Sequence, residues 1–274
     1  MIRIKISVII TAYNQKESLL ATLNGFSNQS ISRDDFEIVI VDDGSTDGTQ
    51  NVSSDMIKKI VKTDYCKIFH TKNLGRACAR NFGIKNSEGD YLIFCDGDRI
   101  PGRQFIREHI ELLKKYDSVV SVGSPFDYYS KNIFNVSEES LEKYSRLPYY
   151  PKLVFNLLSS VDNLFYHDYY WVIMLIGNAA FSRDVIHQIG LFDERFNDWG
   201  FEHFEYGYRL WTKNILILPN KFAKNYHIPH KRNRNIEESI EKNLEILKTI
   251  HPDGDFNILK RLILSPESFQ IDNK

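Results

Sequence analysis

An α/β fold, with a mostly parallel central sheet flanked by helices, is what the sequence predicts, and three observations predict it. Short β-branched runs alternate with stretches of helical periodicity through the first hundred residues. The segments between runs are long enough for the helical crossovers that parallel strands require. Acidic and hydroxylic residues gather just beyond the runs, at the carboxyl ends where open α/β sheets bind ligands.

Each element follows from its local pattern. The run Ile4–Thr11 is apolar and β-branched; it reads as a buried strand rather than a leader, because it alternates and no small-residue cleavage site follows. Over 16–29, Leu19, Leu20, Leu23 and Phe26 recur at helical spacing. Glu37–Val41 is a second strand, ending in the turn-and-cap cluster 42–49. A helical stretch through Ile57 and Ile60 precedes a short run, Cys66–His70. A helix over Arg76–Lys85 and a strand over Tyr91–Cys95 follow. Thr11–Asn14, Asp42 with Asp43, and Asp96 with Asp98 therefore converge on one crevice.

Beyond residue 124 the pattern changes. Aromatics, among them Phe126, Tyr144, Phe165 and Trp171, continue to residue 171 without clear period, which reads as an insertion or a wall of the cleft. The strand-like stretch 175–181 returns to the core, with a helix after Arg183. In 236–250, Ile236, Ile240, Leu244 and Leu247 mark an amphipathic helix packed on the body.

Composition excludes several classes. The chain has 35 Lys+Arg against 36 Asp+Glu, a net charge of −1, so it lacks the cationic excess of a nucleic-acid binder; the one basic patch is 231–234. Aromatics at 13% argue against disorder. Cys66, Cys78 and Cys95 form no C-x-x-C pair and no even set, which argues against thiolate metal sites and disulfides and for a reducing compartment. No window approaches the roughly 18 uncharged apolar residues of a membrane span. The expectation is a cytoplasmic protein, either free or peripheral at the inner membrane face.

Three clusters carry chemistry. Asp96-Gly97-Asp98 directly follows a strand, and two carboxylates flanking a glycine suit Mg²⁺ or Mn²⁺ bridging a diphosphate, although Asp and Gly also serve turns. Asp42-Asp43-Gly44-Ser45 offers carboxylates to a nucleobase or ribose, or N-caps; Asp47 fits the cap role. Arg76 and Arg80 lie four apart on one helix face near its start, suited to a diphosphate or to a solvated charged surface.

The ordered series 7–15, 41–49, 73–83 and 96–98 resembles family 2 glycosyltransferases with the GT-A fold, a Rossmann-like architecture. The segments 177–185, 190–210 and Tyr226-His227 are similar to the second half of that domain, especially in chondroitin-polymerase-type and β-galactosyltransferase-type enzymes. The resemblance implies a domain over 1–235, with a nucleotide-binding half to 123 and an acceptor and metal-completing half from 124, then a helical tail over 236–274. It also implies sugar transfer from a nucleotide diphosphate donor, usually UDP-linked, with Mn²⁺ or Mg²⁺. By this resemblance Thr11, Ala12, Tyr13, Asp42 and Asp43 hold the uridine, and Arg76, Arg80, Asp96 and Gly97 lie at the donor phosphates. Asp98 is then the direct metal ligand, with Asp96 beside it and His227 completing the site; His230 is the rival histidine. Trp199, Gly200 and Glu202 would contact the sugar or acceptor.

The chain departs from the family pattern where relatives carry W-G-G-E-D. Phe201 replaces the second glycine and His203 the aspartate that acts as general base in inverting relatives. An ordinary histidine titrates near 6.5 and can take a proton at neutral pH. Glu202 and Glu205 are substitute bases. Successive helix positions diverge by about 100°, so Glu202 and His203 are not expected to share the role. The retained acid, Glu202, is expected to be the more essential, with His203 as base or acceptor contact. A retaining transferase and a nucleotide-sugar-binding scaffold without turnover are the alternatives. A nucleotidyltransferase is disfavoured because 11–18 lacks a glycine-rich phosphate loop. The acceptor, whether glycan, lipid-linked sugar, peptide or small metabolite, is not specified by the sequence, nor is the oligomeric state.

Overall fold

One nine-stranded sheet runs through the protein in the computed structural model, which describes residues 5–153, 169–197, 200–230 and 236–264. Its strands are β1 (Ile6–Ala12), β2 (Phe36–Asp42), β3 (Cys66–His70), β4 (Tyr91–Asp96), β5 (Arg99–Pro101), β6 (Val119–Tyr128), β7 (Ser145–Arg146), β8 (Asn178–Ser182) and β9 (Leu216–His227). Among the described residues the helices are α1 (Lys16–Phe26), α2 (Ser54–Val61), α3 (Arg76–Lys85), α4 (Phe105–Lys115), α5 (Glu138–Lys143), α6 (Arg183–Ile189), α7 (Glu202–Thr212), α8 (Ile236–Ile250) and α9 (Asn257–Leu264). The strand order is β3-β2-β1-β4-β8-β6-β9-β5, with β7 paired to β6.

The expected parallel arrangement holds across β3-β2-β1-β4, while β8 enters antiparallel between β4 and β6. Helices cover both faces, which is why these strands read as apolar runs. Period-two geometry then sorts β1 and β4. Val8, Ile10, Ile93 and Cys95 enter one core with α1, α2 and α4, whereas Ile9, Leu92 and Phe94 enter the other. The second core also takes Ile240, Leu244 and Leu247 of α8 and Leu259 and Leu262 of α9, so the tail packs on the sheet's body.

Several elements lie beyond the sequence expectations. Helix α4 buries Phe105, Ile106, His109, Ile110 and Leu113, a helical period that sequence reasoning missed. Strand β9 runs twelve residues through Pro219, Lys224 and Asn225, with little strand signal of its own. It is a strand because β6 and β5 flank it, with His227 opposite both Asp127 and Arg99. The aromatics at 165–168 and the basic patch 231–234 lie outside the described residues; Tyr170 and Trp171 are core.

Candidate active site

At the ends of β1 and β2, carboxylates organise backbone. Asp42 is fully buried, accepting from the Ser45 N–H at 3.1 Å and meeting His70 Nδ1 at 2.9 Å. Asp43 accepts the N–H groups of Leu74 and Gly75, both at 2.9 Å, and so joins the β2 end to the start of α3. Burial raises its pKa, and those two bonds offset only part of the rise. Gly75 has φ +94°, a conformation suited to glycine, and frees the α3 N-terminus toward the cleft. Asp47 caps both its own turn, at the Thr49 N–H, and the start of α1, at the Lys16 N–H. Thr11 and Ala12 are buried at the β1 end, and Tyr13 beside them is 42% exposed.

Beyond β4 the chain turns at Gly97, whose N–H donates to the Thr11 carbonyl. Asp96 accepts from Arg80 Nη2 at 3.2 Å and Arg99 Nε at 3.4 Å. Burial would raise its pKa, but the guanidinium charges of Arg80 and Arg99 prevail and lower it. A Cβ on Gly177 would stand 2.3 Å from Asp96 Oδ2, so only glycine lets the loop before β8 approach so closely. Asp98 is buried and meets His227 Nε2 at 3.6 Å, His230 Nδ1 at 3.4 Å and Gln15 Nε2 at 2.7 Å. Its pKa is pushed up by burial but brought well below the usual carboxylate range by His227, Arg99 and Arg76.

Asp98, His227 and His230 each bring a ligand atom to within 4.8 Å of the others. His227 Nδ1 meets Asp127 Oδ1 at 2.9 Å, which leaves Nε2 facing Asp98, the orientation that carboxylates impose on metal-binding histidines. One carboxylate and two imidazoles are a donor set that fits a divalent cation. Asp96, by contrast, is engaged with arginines. Gln15, Arg99 and Asp127, which sequence reasoning missed, join the site through register and turn geometry.

Helix α7 brings the remaining groups. Arg80 is 2% exposed, with Nη1 2.6 Å from Glu202 Oε1, so it ties Glu202 to Asp96. Glu202 is itself 1% exposed, and its Oε2 has no hydrogen-bond partner among the described residues. Burial raises its pKa, yet His203, Arg80 and Arg76 bring it far below the usual range. His203 Nδ1 stands 3.8 Å from Glu202 Oε1, and both residues line one cavity, so at this first helical turn their directions converge. Glu205 points elsewhere: Arg209 grips it at 2.8 and 2.9 Å, and His251 Nε2 meets it at 3.0 Å. Gly200 and Phe201 precede the helix at φ +75° and +70°. For a phenylalanine that backbone costs on the order of 1–3 kcal/mol, retained here by complete burial of the ring. Trp199 lies outside the described residues.

The cavity has a volume of about 370 Å³, and its lining includes Arg76, Arg80, Asp96, Arg99, Asp127 and His227 together with Gly200, Glu202 and His203. It therefore unites both arginines, the first carboxylate of the turn, a candidate metal histidine and the α7 pair. Thr11, Ala12, Tyr13, Asp42, Asp43 and Glu205 are not among its walls.

The family model described as "Glycosyl transferase family 2" matches residues 7–190. The chain belongs to this family. It is a glycosyltransferase, and its neighbours have the GT-A fold. It is 27% identical to a chondroitin synthase of Pasteurella multocida (strain Pm70), over 86% of this chain and 26% of that enzyme, so it spans about a quarter of that relative's length. S. aureus TarS 1–349, solved in complex with UDP-GlcNAc, superposes with a TM-score of 0.63 at 19% identity, covering 96% of this chain and 71% of that one. The mannosyltransferase PcManGT of Pyrobaculum calidifontis, solved with GDP-Man and Mn²⁺, superposes with a TM-score of 0.64 at 19% identity, covering 96% of this chain and 68% of that one. Among the described residues no helix is long and apolar enough to cross a membrane.

Proposed function

We propose that this glycosyltransferase moves a sugar from a UDP-sugar to an acceptor hydroxyl, with a divalent cation at Asp98, His227 and His230 and with inversion at the anomeric carbon. The observation that carries the reading is the Asp98–His227–His230 cluster at the edge of a cleft that also holds Arg76, Arg99 and His203. The UDP-GlcNAc complex of TarS and the Mn²⁺ complex of PcManGT support donor and cation. Two imidazoles favour Mn²⁺ over Mg²⁺, which prefers an all-oxygen octahedron. When bound, the cation neutralises charge on the departing diphosphate.

Thr11, Ala12, Tyr13 and Asp43 form the uridine side, with Asp42 bracing the turn beneath them. Arg76, at the N-terminus of α3, faces the developing negative charge with the helix dipole behind it. His203, rather than Glu202, takes the acceptor proton. Glu202 is clamped by Arg80 and held strongly acidic, which makes it a weak proton acceptor. Its carboxylate, 3.8 Å from His203 Nδ1, instead stabilises the imidazolium that forms. As the proton passes to His203, the acceptor oxygen bonds to the anomeric carbon, and the diphosphate leaves with the electron pair.

Calorimetry of UDP binding tests the reading. Mn²⁺ should tighten binding relative to EDTA, and Asp98→Ala should abolish the gain. Equal affinity under both conditions in the wild type would remove the proposed cation site. The anomeric configuration of the product checks inversion.

A further inference from the structure

We infer that the acceptor carries a compact apolar ring or chain beside its reactive hydroxyl, and that helix α9 forms part of the wall recognising it. This rests on the glycosyl-transfer reading above. Beside its arginines and carboxylates, the cavity has an apolar lining that includes Tyr150, Pro151, Phe201, Phe204, Leu262 and Ile263. Their side chains present carbon, and the one hydroxyl among them, that of Tyr150, is spent on the Val172 carbonyl at 2.6 Å. Phe201 stacks edge-on against Phe204 at 5.7 Å, and Tyr150 meets the same ring at 6.4 Å, so the surface is braced from behind.

The charged side suits a diphosphate and its cation, which leaves the apolar side for the other substrate. A glycan end placed there would lose water from several hydroxyls and find no partners on the wall, a penalty that selects against it. An apolar alcohol gains by burial instead. His203 touches both kinds of lining, its ring 4.1 Å from that of Phe204 and its Nδ1 3.8 Å from Glu202, so a hydroxyl at the edge of such a molecule can give up its proton there while its oxygen bonds to the anomeric carbon. The bulky Phe201 makes the same point. A buried aromatic is kept at φ +70°, where a glycine would be relaxed, and its ring closes the apolar wall.

The test starts from a panel of UDP-sugars hydrolysed with Mn²⁺, which identifies the donor. Wild-type protein is then offered phenolic and alicyclic alcohols beside free mono- and disaccharides. The apolar alcohols should show kcat/KM higher by about tenfold or more. Ile263→Gln, on the half-buried face of α9, should cut that preference by about fivefold or more, while Ile263→Met should keep it. Melting temperatures of both variants show whether α9 still docks. A wild-type preference for free sugars overturns the inference and leaves the transfer reading standing. An unchanged preference in a folded Ile263→Gln protein also overturns it. If no UDP-sugar is turned over, the transfer reading fails and this inference fails with it.

Discussion

At the ends of β1 and β2, acidic side chains hold backbone groups close to them in sequence or one crossover away. Asp42 reaches Ser45, Asp47 reaches Thr49, and Asp43 reaches Leu74 and Gly75. Around the cavity the partners are far apart along the chain. Arg80 and Glu202 are separated by 122 positions, and Asp127 and His227 by 100. The first kind of contact is a turn or cap with a composition signature. The second exists only after the sheet has assembled, and it involves buried charges whose cost is met by particular partners. Nearby contacts therefore shape the β1–β2 end, and remote ones set the chemistry of the cavity.

The comparison is tested first where the expected effect is largest. If His203 is the base proposed above, His203→Ala should lower single-turnover transfer by about 10²–10⁴-fold while leaving UDP affinity intact. If Glu202→Gln collapses the rate and His203→Ala does not, the carboxylate is the base after all. Product of retained configuration would remove the general-base role from α7 altogether.

Glu205→Gln should act on stability rather than chemistry. It breaks a buried, two-pronged pair with Arg209 and a contact with His251, and losses of this kind are of the order of 3 kcal/mol. A melting temperature lower by roughly 10 °C is expected. An unchanged melting temperature with lost turnover would return Glu205 to the list of bases.

An effect of similar size, seen only at low pH, comes from helix α4. His109 of α4 is fully buried, with Nδ1 2.8 Å from Ser121 and Nε2 3.0 Å from Asn178, which joins β6 to β8. Burial lowers its pKa to about 4, although Asn178 pulls the other way. The unfolded chain therefore binds more protons between about 6.5 and 4, so stability is full above that window and falls as the pH drops through it. The loss should reach up to about 3 kcal/mol by pH 4. Denaturant titrations of wild type and His109→Gln across this range check it, and a wild-type profile as flat as the variant's would contradict the assignment.

The smallest effect belongs to the β1–β2 end. Asp47→Ala removes two caps, one at Thr49 in its own turn and one at Lys16 at the start of α1, and should cost about 1–2 kcal/mol, with turnover retained. A loss several times larger would show that this end depends on contacts beyond these caps.

Legibility follows the same division. The bounds of β3, α3 and α8 match the sequence expectation residue for residue, because each has its own period and flanking signals. The turn at Asp96-Gly97-Asp98 was visible for the same reason. Strand β9 was not, since its polar residues carry no strand pattern until β6 and β5 pair with it. Arg80 read as a phosphate ligand by type and spacing, and nothing local distinguishes that role from a buried pair with Glu202. Glu205 read as a base by adjacency, yet helical geometry turns it toward Arg209. Arg99, Asp127 and Gln15 gave no signal at all, because an isolated polar residue near a strand end is ordinary until a partner faces it.

The sequence by itself determined the α/β class, the half-sheet of β1–β4, the acidic strand ends and the family, all of which rest on short-range pattern and ordered motifs. Only the tertiary structure decided that His227 and His230 meet Asp98, that Arg80 neutralises Glu202, and that α9 closes the cavity beside His203. The physical reason is separation along the chain. Propensity, capping and period act over a few residues, whereas a buried ion pair or a cavity wall is defined by which distant surfaces the packed sheet brings together.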